Sequence, residues 1–234
     1  MTYSNLMKQM LMASIDELSK APEIYAVHPD KDFTRNRKIS FHDFLLLLLT
    51  MEDDCLREEL YHFFGRSAET PSKAAFYHQR TKLTDGALWE LLQIFNQKLK
   101  PTLYRNRYRL VACDGSVADI FRDEKDTETY FEPNNKSPRG FNQIHINALY
   151  SILDKQFLDV LVQPARKRNE YSAFCEMVDR VKNNCPTIYI ADRGYASYND
   201  FAHVIEKQQY FLIRCTDVKT SRLLGFPLED VREI

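Results

Sequence analysis

Through the first hundred positions apolar side chains recur every three to four residues, the period of helices with one buried face. Residues 5–19 place Leu6, Met7, Met10, Leu11, Ile15 and Leu18 on such a stripe, and Pro22 and Pro29 break it. Ser40-Phe-His-Asp43 has the form of a capping box and predicts a helix from Phe41 to Met51, with leucines on every side that predict burial. A helix over 53–64 carries Leu56, Leu60, Phe63 and Phe64 on one face and ends at Gly65. Thr70-Pro71 opens the next, over 72–83, which is polar and basic. The last, over 85–100, turns Leu88, Leu91, Leu92, Phe95 and Leu99 inward and stops at Pro101.

The period changes near Arg105. Tyr108 to Cys113 predicts a short strand ending at Asp114-Gly115, followed by a polar loop through Asp123 to Gly140. Residues 143–152 alternate polar and apolar, Asp154-Lys155 reads as a tight turn, and 157–162 completes a hairpin. A helix over 170–183, an apolar strand over 187–191, a capped helix from Ser197 to Lys207 and a strand over 210–214 follow. Strand, hairpin, helix, strand, helix, strand predicts a mixed α/β sheet. The division falls into a helical region, 1–104, and a sheet domain, 105–234.

Two strand ends carry the chemistry. Val111-Ala-Cys-Asp-Gly-Ser116 and Ile188-Tyr-Ile-Ala-Asp-Arg-Gly-Tyr195 each push one aspartate off an apolar strand. If the first and fourth strands lie side by side in parallel, as in an RNase H-like sheet, Asp114 and Asp192 meet at one rim. Paired carboxylates there can hold divalent ions against a phosphodiester. Taken singly, each Asp-Gly or Asp-Arg-Gly also fits an ordinary turn. His145, on the polar side of its strand, fits a packed or solvated histidine better than a ligand. Helix, short turn and basic helix near 53–83 outline a helix-turn-helix with Lys73, Tyr77, Gln79, Arg80 and Lys82 as DNA contacts; an ordinary solvated helix on a bundle fits the same spacing.

Asp114-Gly-Ser116, Ala191-Asp-Arg-Gly-Tyr195 and Ser72-Lys-Ala-Ala-Phe-Tyr-His-Gln-Arg-Thr-Lys-Leu83 together resemble the IS4-type DDE transposases. The resemblance spans about Arg37 to Thr216. It implies an RNase H-like catalytic domain, Mg²⁺ or Mn²⁺ held by Asp114 and Asp192, and cut-and-paste chemistry on transposon-end double-stranded DNA bound by the helical region. It also implies a homodimer on paired ends. The family's third acid sits in a Y-x-x-R-x-x-x-E pattern. Here only Tyr77/Arg80 and Tyr104/Arg107 begin one, and Thr84 and Val111 stand where Glu is required. Glu229, Asp230 and Glu233 lack the tyrosine and arginine. The expectation is therefore a transposase copy cut short at its C-terminal end and catalytically incomplete. A DNA-binding remnant that represses or pairs with an intact enzyme, and a nuclease completed by an unusual acid, are the alternatives.

Composition adds limits. With 44 % hydrophobic and 28 % charged residues and a net charge of −1, nothing global marks nucleic-acid binding, so local clusters must supply it. Three stand out: Arg35, Arg37 and Lys38; Arg105, Arg107 and Arg109; and Arg166, Lys167 and Arg168, each able to face phosphates or merely solvent. The five cysteines lack a C-x-x-C pair, predicting free thiols in a reducing compartment. No signal peptide precedes the first helix, and the leucine run 45–49 is too short for a bilayer, so a cytoplasmic protein with no membrane partner is expected, associated with the nucleoid when bound to DNA. No nucleotide-binding glycine motif occurs.

Overall fold

The computed structural model describes residues 2–181 and 185–214. The chain divides into two compact units, Met1–Leu99 and Lys100–Ile234. Cys215, Glu229, Asp230 and Glu233, and the predicted helix end at 182–183, lie outside the described residues.

The first unit is helical: α1 (Tyr3–Leu18), α2 (Phe41–Thr50), α3 (Leu56–Phe64), α4 (Lys73–Arg80) and α5 (Gly86–Gln97). The Ser40 hydroxyl accepts from the Asp43 amide at 3.0 Å, as the capping box requires. The leucine-rich α2 is the axis of this unit. Phe41 and Leu45 pack with Ile15, Leu18 and Leu91, while Phe44 and Leu47 pack with Ile39, Leu60 and Phe76. A helix apolar on every side thus serves two cores at once.

The second unit is a six-stranded mixed sheet with two helices: β1 (Arg109–Ile120), β2 (Tyr130–Phe131), β3 (Phe141–Ser151), β4 (Gln156–Pro164), α6 (Glu170–Arg180), β5 (Thr187–Ala191), α7 (Tyr198–Glu206) and β6 (Tyr210–Ile213). β3 pairs antiparallel with β1 and with β4; β5 pairs parallel with β1, and β6 parallel with β5. This is the predicted order, with the first strand central. One face of the sheet holds Val111, Cys113, Leu149 and Tyr189, which pack with Phe174, Met177 and Val178 of α6 and Val204 of α7.

Three details depart from the sequence reading. β1 does not stop at Asp114-Gly115 but runs to Ile120, because β3 continues beside it as far as Asn142↔Ile120. A long antiparallel ladder overrides the turn preference of Asp-Gly. The polar loop contains a short strand, β2, fixed by Phe131 stacking on Phe141 at 5.1 Å. And α6 ends at Arg180, since Val181 is already extended. Among the described residues no helix is long and apolar enough to cross a membrane.

Two ion pairs brace the sheet unit. The Arg180 guanidinium grips the fully buried Asp159 through two bonds of 2.6 and 2.9 Å. Asp154, in the β3–β4 turn, accepts from the Thr102 amide (2.7 Å), the Ser151 hydroxyl (2.6 Å) and Arg109 (3.3 Å). Burial alone would raise the Asp154 carboxyl, but those hydrogen bonds and Arg109 outweigh it and hold it below its ordinary value.

Arg180→Met should cost about 3–5 kcal/mol in a urea melt at neutral pH, the range for removing one partner of a buried pair. Asp154→Asn should destabilise near neutral pH. Its depressed folded pKa gives stability that is present above the ordinary value of 3.8 and lost as pH falls through the folded value. The melting-temperature gap between wild type and Asp154→Asn should therefore narrow only on acidification below that value.

Candidate active site

The parallel ladder between β1 and β5 ends at Ala112↔Ile190. Asp114 and Asp192 each lie two residues beyond that last pair. Counted on from that pair along extended backbone, both fall on the same sheet face, because side chains alternate with period two. Both are exposed, on the face opposite Cys113 and the α6 core.

Each carboxylate is tethered by its own turn. Asp114 Oδ1 accepts from the Gly115 amide at 2.8 Å, and Asp192 Oδ1 from the Gly194 amide at 2.7 Å. Both anchors use one oxygen and leave the second for a ligand. Space is tightest at Gly115, where a methyl would sit 2.5 Å from the buried His145 Nε2; at Gly194 a methyl would meet only the Asp192 carboxylate, 2.8 Å from Oδ1.

Beneath the acids the two strand ends share one core. Tyr195, three residues after Asp192, and Cys113, one residue before Asp114, are buried in the same apolar cluster. Burial pushes the Cys113 thiol up to about 12, and also raises the Tyr195 phenol, so both stay neutral. The Tyr195 ring packs edge-on against Phe174 at 5.7 Å. Beside them His145, 2 % exposed, points Nε2 at Glu170 Oε1 3.1 Å away, the first residue of α6. The sequence favours a packed or solvated His145 over a ligand, and the structure packs it; Tyr195 stands out in the sequence only as part of a motif, and Glu170 only as a helix start. The available signal was the face parity of His145 with Asn147 and Leu149.

Two exposed carboxylates on a rigid rim are hard oxygen donors. They fit a magnesium-like ion, which commonly takes one or two protein carboxylates and completes its shell with water and phosphate oxygens. Among the described residues no group of three or more His, Cys, Asp and Glu side chains gathers as a metal cage.

Residues 105–231 match the transposase DDE domain family. The chain belongs to that family. DDE domains generally use divalent metal ions, in keeping with the donor set just described. A solved structure, the cryo-EM structure of the piggyBac transposase synaptic complex with hairpin DNA, aligns at 14 % identity and a TM-score of 0.34, over 96 % of this chain and 45 % of that one. This chain therefore spans less than half the length of that transposase. No curated protein matches it.

The basic candidates of this DDE protein divide sharply. On α4, Lys73 and Arg80 are exposed and Tyr77 is half-exposed. Gln79 is not displayed: it is buried, its Nε2 donating to the Ile39 carbonyl at 2.5 Å and its Oε1 accepting from Lys82 Nζ at 2.7 Å. Residues 65–72 separate α3 from α4, longer than the three- or four-residue turn of a helix-turn-helix. In the sheet unit Arg166 donates to the Tyr130 carbonyl (3.0 Å), Lys167 pairs with Glu128, and Arg168 is exposed.

Gly115→Ala should push the packed His145 ring aside and cost about 1–3 kcal/mol, the range for overpacking a core. Gly194→Ala, which meets only the Asp192 carboxylate, should cost less in the same denaturant melts.

Proposed function

We propose that this chain works as a transposase of the IS4 type. It would bind double-stranded DNA at transposon terminal inverted repeats and supply two acids, Asp114 and Asp192, to hold Mg²⁺ or Mn²⁺ for strand cleavage and transfer. A third acid in the family's Y-x-x-R-x-x-x-E pattern is not found in this sequence, so its catalytic set is incomplete. The single observation that supports the reading is the parallel β1–β5 register, whose last pair, Ala112↔Ile190, lies two residues before each acid. Membership of the DDE family supports the class of chemistry.

When bound, such a cation stabilises charge on the phosphodiester oxygens. The chain's own part is geometric. The Gly115 and Gly194 amides fix the carboxylates, and the shared burial of Cys113 and Tyr195 keeps the strand ends from drifting apart. In the helical unit Lys73, Tyr77, Arg80 and Lys82 supply cations and one aromatic face for the duplex; in the sheet unit Arg166, Lys167 and Arg168 add a second basic edge. Gln79 contributes by bracing α4 rather than by touching DNA. A homodimer would bring two such units to paired ends.

The deciding experiment is Mn²⁺-dependent nicking of a labelled terminal-repeat duplex by the purified chain. Asp114→Asn and Asp192→Asn should each lower the residual rate by more than the about 10–100-fold typical of losing a residue that only orients a ligand, with DNA affinity retained. Cleavage indifferent to both substitutions would remove the assignment. Tight binding with no cleavage by the wild-type chain would instead favour a DNA-binding protein that represses, or pairs with, an active transposase.

A further inference from the structure

Away from the acidic rim, the helical unit holds a cleft between the 30–39 segment and α4. Its main cavity, about 480 Å³, is lined by Arg37, Lys38, Ser72, His78, Gln79 and Lys82 among others, with no acidic side chain in the lining. A second hollow of about 300 Å³ shares Arg37, His78 and Lys82 and extends past Lys31 and Arg35, with Asp30 and Asp32 also in its wall. Asp32 is committed, accepting from the His28 amide at 3.0 Å. Both volumes lie at the lower end of the range for ligand sites, about 300–1,000 Å³.

The charge in the main cavity is cancelled only in part, at Lys38. Lys38 is spoken for, donating to the Ala68 carbonyl at 2.9 Å and lying 3.4 Å from Glu69. Lys82 is different: its ammonium donates to the neutral Gln79 amide oxygen, which aims it without neutralising it. Arg37 and His78 are exposed along the same walls. The N-terminus of α4 opens on the cavity at Ser72, whose hydroxyl caps the Ala75 amide at 3.2 Å, and the first-turn amides add partial positive charge.

The walls are also held apart at a fixed distance. Gln79 Nε2 bonds the Ile39 carbonyl across the cleft floor, the Val27 amide donates to the Lys82 carbonyl at 2.8 Å, and the Thr84 amide donates to the Tyr25 carbonyl at 2.9 Å. A cationic hollow braced on both sides binds an anion without first ordering its donors. A carboxylate-rich partner would serve the charge equally, but two hollows that share Arg37, His78 and Lys82 offer more than one cationic position, which suits a polymer with repeated anions.

We propose that this cleft seats the sugar-phosphate backbone of DNA, with Arg37 and Lys82 as the charge donors and His78 as a hydrogen-bond donor at the rim. The inference rests on the DNA partner proposed above, and not on the metal chemistry. It adds to the outward face of α4, where Tyr77 and Arg80 stand, a second contact along its flank against the 30–39 segment.

The test is fluorescence anisotropy of the full chain with a labelled duplex between about 50 and 200 mM salt. Arg37→Ala/Lys82→Ala should weaken binding about tenfold or more and reduce the slope of log affinity against log salt by about 2, one per lost phosphate contact. Lys8→Ala, an equal kind of charge loss on α1, should leave the slope unchanged. Should the double variant fail to fold by circular dichroism, Arg37→Gln alone, on an exposed loop position, should reduce the slope by about 1. Folded cleft variants with wild-type slope would overturn the cleft assignment while leaving DNA as the partner. No binding by the wild-type chain would overturn both.

Discussion

The parallel pairing of β1 with β5 covers only Arg109–Ala112 against Thr187–Ile190, yet the candidate site depends on it. Parallel strands share a direction, so residues equally far past the last pair emerge at the same end of the sheet. Slipping the register by one residue would turn Asp192 to the other face and into the α6 core. What guards against the slip is apolar packing. Val111 and Tyr189 are fully buried as register partners, and Tyr195 and Cys113 share the same core immediately beyond. The two acids are thus placed by the burial of neighbours that take no part in chemistry.

Much of this organisation could be read from residue order. The leucine-rich stretch after Ser40 was expected to be buried on every side; α2 does join two cores, but Leu49 near its end remains 45 % exposed. The sheet order followed from which strands were joined by a turn and which by a helix. The continuation of β1 through Gly115 could not be read, because Asp-Gly has local turn chemistry and only a partner strand decides otherwise. That partner, β3, lies some thirty residues away along the chain. The His145–Glu170 contact was hidden for the same reason: it joins an interior strand to the helix packed on the sheet face.

The basic helix shows a different limit. A pattern of Lys, Tyr, Gln, Arg and Lys on eight to ten residues says what a helix surface carries but not which side faces out. Gln79 was expected at the DNA and instead holds two backbone segments together, because a buried amide must satisfy both its donor and its acceptor and finds Ile39 and Lys82. Its internal use gives Lys82 a defined direction, which an isolated surface lysine lacks.

The unequal lengths of the two central strands have a mechanical consequence. Asp114 sits in mid-strand, laddered to Ala148 with β1 continuing beyond it for six more residues, whereas Asp192 stands where β5 has ended and a single 3₁₀ turn begins. Asp114 is therefore held by a ladder on its β3 side, whereas Asp192 is held by its own turn, through the Gly194 amide and the buried Tyr195. A change in the backbone position of one acid relative to the other would fall to residues 192–195 rather than to β1.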